Sequence, residues 1–176
     1  MTQSPITQDS RITEPQITKE EMDRKCKEAE EKFKEWLNKH NIPFIFFDQT
    51  VKSFSDEFNK ENLKRPDFMV LIPNFGSILV DVKYKTKNNF GTITLNEKEI
   101  EKFINFNKNF GVHIWFAVSN EESNFSSWHW ISANELDEIE LKTNTSTKER
   151  FYPVPVQKFY QISGSEGLEK LFENKK

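Results

Sequence analysis

The sequence predicts an α/β protein in which a mixed central sheet is flanked by helices. Two stretches carry apolar residues at three- and four-residue steps, the period of an amphipathic helix. Around them lie several short runs rich in β-branched and aromatic residues, which suit strands. Two of those runs are separated only by Pro73-Asn74-Phe75-Gly76, a set of turn formers, so they predict a β-hairpin.

The elements follow in order. Residues 1–17 are rich in Thr, Gln, Ser and Pro without hydrophobic period, and predict a flexible tail ahead of one domain over 18–176. Thr18-Lys19-Glu20-Glu21 has the Thr-x-x-Glu spacing of a capping box and predicts a helix start. Met22, Cys26, Ala29, Phe33, Trp36 and Leu37 then form one stripe on a charged cylinder that ends near His40-Asn41. Phe44 to Phe47 predicts a buried strand, and 48–64 a polar loop. The hairpin strands run over Phe68 to Ile72 and Ser77 to Lys83. A second helix carries Ile100, Phe103, Ile104 and Phe110, with Asn96 as N-cap and Gly111 as its stop. Val112 to Val118 and Trp128 to Ile131 predict two more strands, with core packing favoured over base stacking for Trp128 and Trp130. Beyond them the pattern predicts a short helix over 135–140, an extended stretch over 151–162 interrupted by Pro153 and Pro155, and a terminal helix over 166–172.

Composition narrows the function classes. Hydrophobic residues make up 35% and charged residues 30%, yet 17 Phe, 4 Trp and 3 Tyr supply enough bulky surface for one core. The net charge is −3, so affinity for a polyanion must come from local clustering. One cysteine, Cys26, excludes an intrachain disulfide and a Cys-based zinc cluster, and His40, His113 and His129 stand at no recognisable ligand spacing. No apolar run approaches the ~18 residues of a membrane span, and the first residues lack the pattern of a secretory signal. The expectation is a cytoplasmic protein with no membrane partner.

The hairpin carries the chemistry. Facing residues in an antiparallel pair have a constant sum, and a turn near Asn74 or Phe75 gives 148 to 150. Asp67 then lies opposite Asp81 or Lys83. Asp81 and Lys83 share a face by the two-residue period, and an even sum adds Asp67 to it. Two carboxylates so close repel each other and lose solvation together. A divalent cation resolves that conflict, because Mg²⁺ takes one or two carboxylates plus water and a substrate phosphate. Lys83 beside it can stabilise phosphate charge or help to activate water. Between Asn62 and Phe90, Lys64, Arg65, Lys83, Lys85 and Lys87 stand against Asp67 and Asp81, a local excess of positive charge suited to a phosphate backbone.

Arg65-Pro66-Asp67 followed across a hairpin by Asp81-Val82-Lys83 resembles the PD-(D/E)xK nuclease superfamily. The resemblance covers roughly residues 19–132 and is nearest to Holliday-junction resolvases and small restriction-type endonucleases. It implies a restriction-endonuclease-like αβββαβ core and hydrolysis of a DNA phosphodiester by water, leaving a 5′-phosphate. It also implies Mg²⁺, replaceable by Mn²⁺, held by Asp67, Asp81 and the Val82 carbonyl, with Lys83 acting on the water. The family's glutamate on the first helix maps best to Glu30, with Glu28 and Glu31 as alternatives. Arg65, Lys85 and Lys87 are the expected nucleic-acid contacts, and the second helix shows no clear additional Glu or Gln motif. A homodimer cutting two strands is the implied assembly. The rival readings are a non-catalytic nucleic-acid- or protein-binding subunit on the same fold, and an RNA-directed nuclease of defence or toxin type.

Overall fold

A computed structural model describes residues 18–47, 58, 63–88 and 90–173. The expected tail over 1–17 and most of the expected loop over 48–64 lie outside the described residues.

Helix α1 spans Lys19–Lys39, and the Thr18 hydroxyl accepts from the Glu21 N–H at 3.2 Å, as the cap spacing requires. Its buried side is Ala29, Phe33, Trp36 and Leu37, together with Lys25. Lys25 is a charged intruder in that stripe, satisfied by the Tyr84 hydroxyl at 3.3 Å and Glu121 at 2.6 Å.

Strands β1 (Phe44–Phe46), β2 (Phe68–Ile72) and β3 (Gly76–Tyr84) form an antiparallel meander with Phe68 paired to Val80, a register sum of 148. The turn between β2 and β3 uses positive φ at Asn74 (62°) and Gly76 (120°). The chain then makes β4 (Thr92–Asn96), α2 (Glu97–Phe110) and β5 (Ile114–Ser119), which lies parallel to β3. Strand β6 (Ser127–Ser132) returns antiparallel to β5, followed by α3 (Ala133–Asp137), β7 (Lys142–Thr143), β8 (Arg150–Pro155), β9 (Tyr160–Ser163) and α4 (Lys170–Glu173). The main sheet has the order β1-β2-β3-β5-β6-β9 and is mixed, as expected.

The expected core lacks one feature of the real chain, a second sheet in the order β4-β8-β7. The alternation of Thr92-Ile93-Thr94-Leu95 puts Ile93 and Leu95 inward, where they are buried. Strand β8 tolerates Pro153 and Pro155 because Val156 N–H bonds Gly91 O, which fixes the even-numbered residues as the donors toward β4. The prolines therefore turn their missing N–H away from β4, past Phe151, where the pairing with β7 ends.

Two apolar cores sandwich the main sheet. Val80, Val82, Trp128 and Trp130 on one face meet Phe33, Trp36 and Leu37 of α1. Leu79, Phe116, Val118 and Ile131 on the other meet Ile100, Phe103 and Ile104 of α2 and the second sheet. Trp128 and Trp130 are fully buried, which makes them core residues rather than stacking platforms. Among the described residues, no helix is long and apolar enough to cross a membrane.

Helix α2 ends at Gly111, whose φ of 65° is left-handed and whose N–H closes on Asn107 O at 2.9 Å. A Cβ there would meet no atom within 4 Å, so the strain of Gly111→Ala is purely conformational. That substitution should lower the unfolding free energy by about 1 kcal/mol, measurable by urea denaturation.

Candidate active site

Strand β3 is the central element of the site. It is flanked by β2 on one side and β5 on the other, so its residues beyond Val80 are buried even where β2 has ended. The odd-numbered side chains Asp81 and Lys83 fall on the face covered by α2, while Val82 and Tyr84 pack toward α1. Asp67 stands just before β2. Its N–H donates to Val80 O at 3.0 Å, and its carboxylate Oδ2 accepts from Val82 N–H at 2.7 Å, so its side chain caps the ladder where β2 stops. The register sum of 148 holds from Phe68–Val80 to Ile72–Gly76; Asp67 lies one residue outside that ladder, where its N–H also turns to Val80 O and the charge of Asp81 reaches its carboxyl.

Asp81 retains 1% of its surface exposed, Asp67 8% and Lys83 9%. Burial, and then the charge of Asp81, raise the Asp67 carboxyl well above the usual carboxylate range, with Val82 N–H and Lys83 pulling the other way. Asp81 Oδ2 is in contact with Lys83 Nζ but accepts no well-directed hydrogen bond. Lys83 loses affinity for its proton through burial, yet Asp81 and Glu99 more than compensate and hold it firmly as an ammonium.

Glu99 is the site residue that sequence reasoning missed. It lies in the first turn of α2, where Asn96 Oδ1 accepts its N–H at 3.3 Å. Its carboxylate accepts from Lys83 Nζ at 2.6 Å and is also paired with Lys64. Burial pushes Glu99 up, but Lys83 and then Lys64 outweigh it and hold it down at about 2. Lys64 Nζ also lies 3.9 Å from Asp81 Oδ1. The two ammonium groups sit 5.4 and 5.8 Å from the Phe103 ring centroid, an apolar floor that favours cations. The available signal was the Asn96-x-x-Glu99 spacing, which reads equally well as simple cap chemistry.

Of the three glutamates considered on α1, Glu28 and Glu31 are exposed, and Glu31 pairs with Lys34 at 2.6 Å. Glu30 is half-buried, and burial followed by the charge of Asp81 raises its carboxyl. It therefore senses the carboxylate pair from the α1 side of the sheet. Arg65 is half-buried in the lead-in to β2. The hairpin strand, expected to end at Lys83, runs to Tyr84, and Lys85 and Lys87 stand on the loop beyond it.

Among the described residues, no three His, Cys, Asp or Glu side chains form a closed metal cage. Two carboxylates suffice for a hard ion that keeps several waters. The donor chemistry fits such an ion, because the charge of Asp81 opposes ionisation of the buried Asp67 and Asp81 Oδ2 accepts no well-directed hydrogen bond.

Fold and sequence together define a nuclease of the metal-dependent PD-(D/E)xK superfamily. More narrowly, the chain belongs to the archaeal Holliday junction resolvase (Hjc) family, whose profile matches residues 51–163. Among solved structures, the chain is similar to Hjc of Archaeoglobus fulgidus, a Holliday junction resolvase from an archaeal hyperthermophile. The identity is 16% over 72% of this chain and 87% of that one, with a TM-score of 0.46. It is also similar to a nuclease from a fusselovirus, at 14% identity over 79% of this chain and 80% of that one, with a TM-score of 0.41. No curated protein sequence matches it significantly.

Proposed function

We propose that residues 18–176 act as a Mg²⁺-dependent endonuclease that hydrolyses phosphodiester bonds of branched DNA, four-way junctions included, and that works as a homodimer to cut two strands. The observation that carries this reading is the burial of Asp67 and Asp81 within reach of each other's charge at the end of the hairpin, with Lys83 against Asp81. Membership in a resolvase family supports branched DNA as the substrate.

In this reading Asp67, Asp81 and the Val82 carbonyl hold Mg²⁺, with Mn²⁺ as a substitute and Glu30 contributing directly or through water. The bound ion would supply charge neutralisation at the phosphate and acidify water. The chain's own groups do the rest. Val82 N–H fixes one Asp67 oxygen, so the carboxylate is oriented before any ligand arrives. Lys83, in contact with Asp81 and Glu99, stands where it stabilises the phosphate charge and orients or activates the water. Glu99 positions Lys83, and Lys64 places a second cation over the same face. Arg65, Lys85 and Lys87 meet flanking phosphates.

The test is cleavage of labelled duplex, single-stranded, branched and four-way-junction DNA and of RNA, with Mg²⁺, Mn²⁺ or EDTA, beside Lys83→Ala. The expected result is cutting of branched DNA that EDTA and Lys83→Ala both abolish. Cutting that survives Lys83→Ala would remove this site, and cutting confined to RNA would reassign the substrate.

A further inference from the structure

A cleft of about 390 Å³ includes Val118, the register partner of Lys83, on the same face of the sheet. Its position follows from register. Lys83 pairs with Val118 of β5, Val118 with His129 of β6, and His129 with Gln161 of β9. Register partners share a face, and strands lie ~4.8 Å apart, so His129 is about 10 Å from Lys83 along this row and Gln161 one strand further. The cleft lies beyond the C-terminal ends of the parallel pair β3 and β5, the place where open α/β sheets receive ligands.

Its lining combines apolar, neutral polar and cationic groups with one carboxylate, Glu122. Ile93, Val118 and Val156 form an apolar wall. His129 and Gln161 offer hydrogen-bonding side chains beside it, and burial followed by the charge of Lys87 keeps His129 neutral. Lys85 and Lys87 stand at the mouth, and among the described residues neither has an ion-pair partner. By contrast Lys25, Lys64, Lys83 and Arg150 are all paired. An apolar wall, neutral donors and acceptors, and two unpaired cations that outnumber the single carboxylate of Glu122 suit a flat heteroaromatic ring joined to a phosphate. The volume falls in the ~300–1,000 Å³ range of small-ligand clefts. A base stacked and paired in a duplex cannot enter such a recess without leaving its stack.

We propose that this cleft receives one unpaired nucleotide of the DNA strand being cut, its base against Ile93, Val118, His129 and Gln161 and its phosphate on Lys85 and Lys87. The site rests on the nuclease reading above and deepens it by naming how branched DNA is told from plain duplex. An unpaired nucleotide enters at little cost, whereas a paired one must first be unstacked.

The test measures binding by the full chain with Ca²⁺ in place of Mg²⁺, using a duplex with one unpaired 2-aminopurine beside a branch point and the same duplex fully paired. Gln161→Leu and Lys87→Ala change exposed positions. Each should weaken the branched probe about tenfold, the scale of one or two lost polar contacts, and affect the paired duplex much less. The 2-aminopurine emission should change on binding to the wild type and change less with Gln161→Leu. Equal losses on both probes, or an emission unaltered by the wild type, would overturn the proposal. Cleavage with Mg²⁺ is scored separately. Discrimination without cutting would leave the cleft standing and sink the nuclease reading, and cutting without discrimination would do the reverse.

Discussion

Asp81→Asn should cut DNA at no more than about one hundredth of the wild-type rate, a loss of roughly 2.7 kcal/mol or more of transition-state stabilisation, while binding it at least as tightly. The side chain is nearly isosteric, so the packing around it survives, but the amide is a poor metal ligand and a buried negative charge facing the phosphate is gone. Removing that charge leaves burial as the main cause raising Asp67 and Glu30 but takes away the second, and frees Lys83 from its closest partner. Single-turnover cleavage beside anisotropy binding at matched salt would check both halves. Binding that falls along with cleavage would mean that Asp81 shapes the surface rather than the chemistry.

Phe33→Ala should destabilise the fold by about 3–5 kcal/mol. Phe33 is fully buried at the crossing of α1 and the sheet, with ring centroids 5.1 Å from Phe68, 5.0 Å from Trp128 and 5.6 Å from Trp130. The buried indole N–H groups of Trp128 and Trp130 have no hydrogen-bond partner, so these side chains contribute through shape and apolar contact, and removing Phe33 leaves them facing a void. A fall in thermal midpoint of roughly 10–15 °C is expected for a chain of this size. A change of only a few degrees would show that α1 can slide to refill the space.

The hairpin was legible because an antiparallel register is nearly fixed once its turn is known, and Pro73 to Gly76 left only a small choice of sums. That arithmetic gave the observed sum of 148 and put Asp81 and Lys83 on one face, although the ladder breaks at Asp67, whose N–H turns to Val80 O. The cap and stop residues Thr18, Asn96 and Gly111 were legible for a similarly local reason. The pairing of β4 with β8 was not, because it joins residues some sixty positions apart through side chains no different from those of any exposed strand. Glu99 was hidden for a related reason. Its importance depends on the first turn of α2 arriving above Lys83, a matter of tertiary approach, whereas its sequence neighbours mark it only as an acid at a helix start. The strand expected to end at Lys83 ends at Tyr84, and where the loop beyond it carries Lys85 and Lys87 is a tertiary matter that their sequence neighbours do not mark.

The link from Lys25 to Tyr84 and Glu121 bears on Glu30 in mechanical terms. Lys25 lies five residues before Glu30, about 7.5 Å along the helix axis, and Phe33 lies three residues after it. The first is fastened to the far end of the strand that carries Asp81 and Lys83, and the second is embedded in the aromatic core. Glu30 thus sits on a beam supported at both ends, and the only play left to it is its own side-chain rotation. A helix anchored at one end would swing its carboxylate through ångströms with each thermal bend. With two supports, the distance between the helix and the central strand becomes a fixed gauge, set far from the chemistry that uses it.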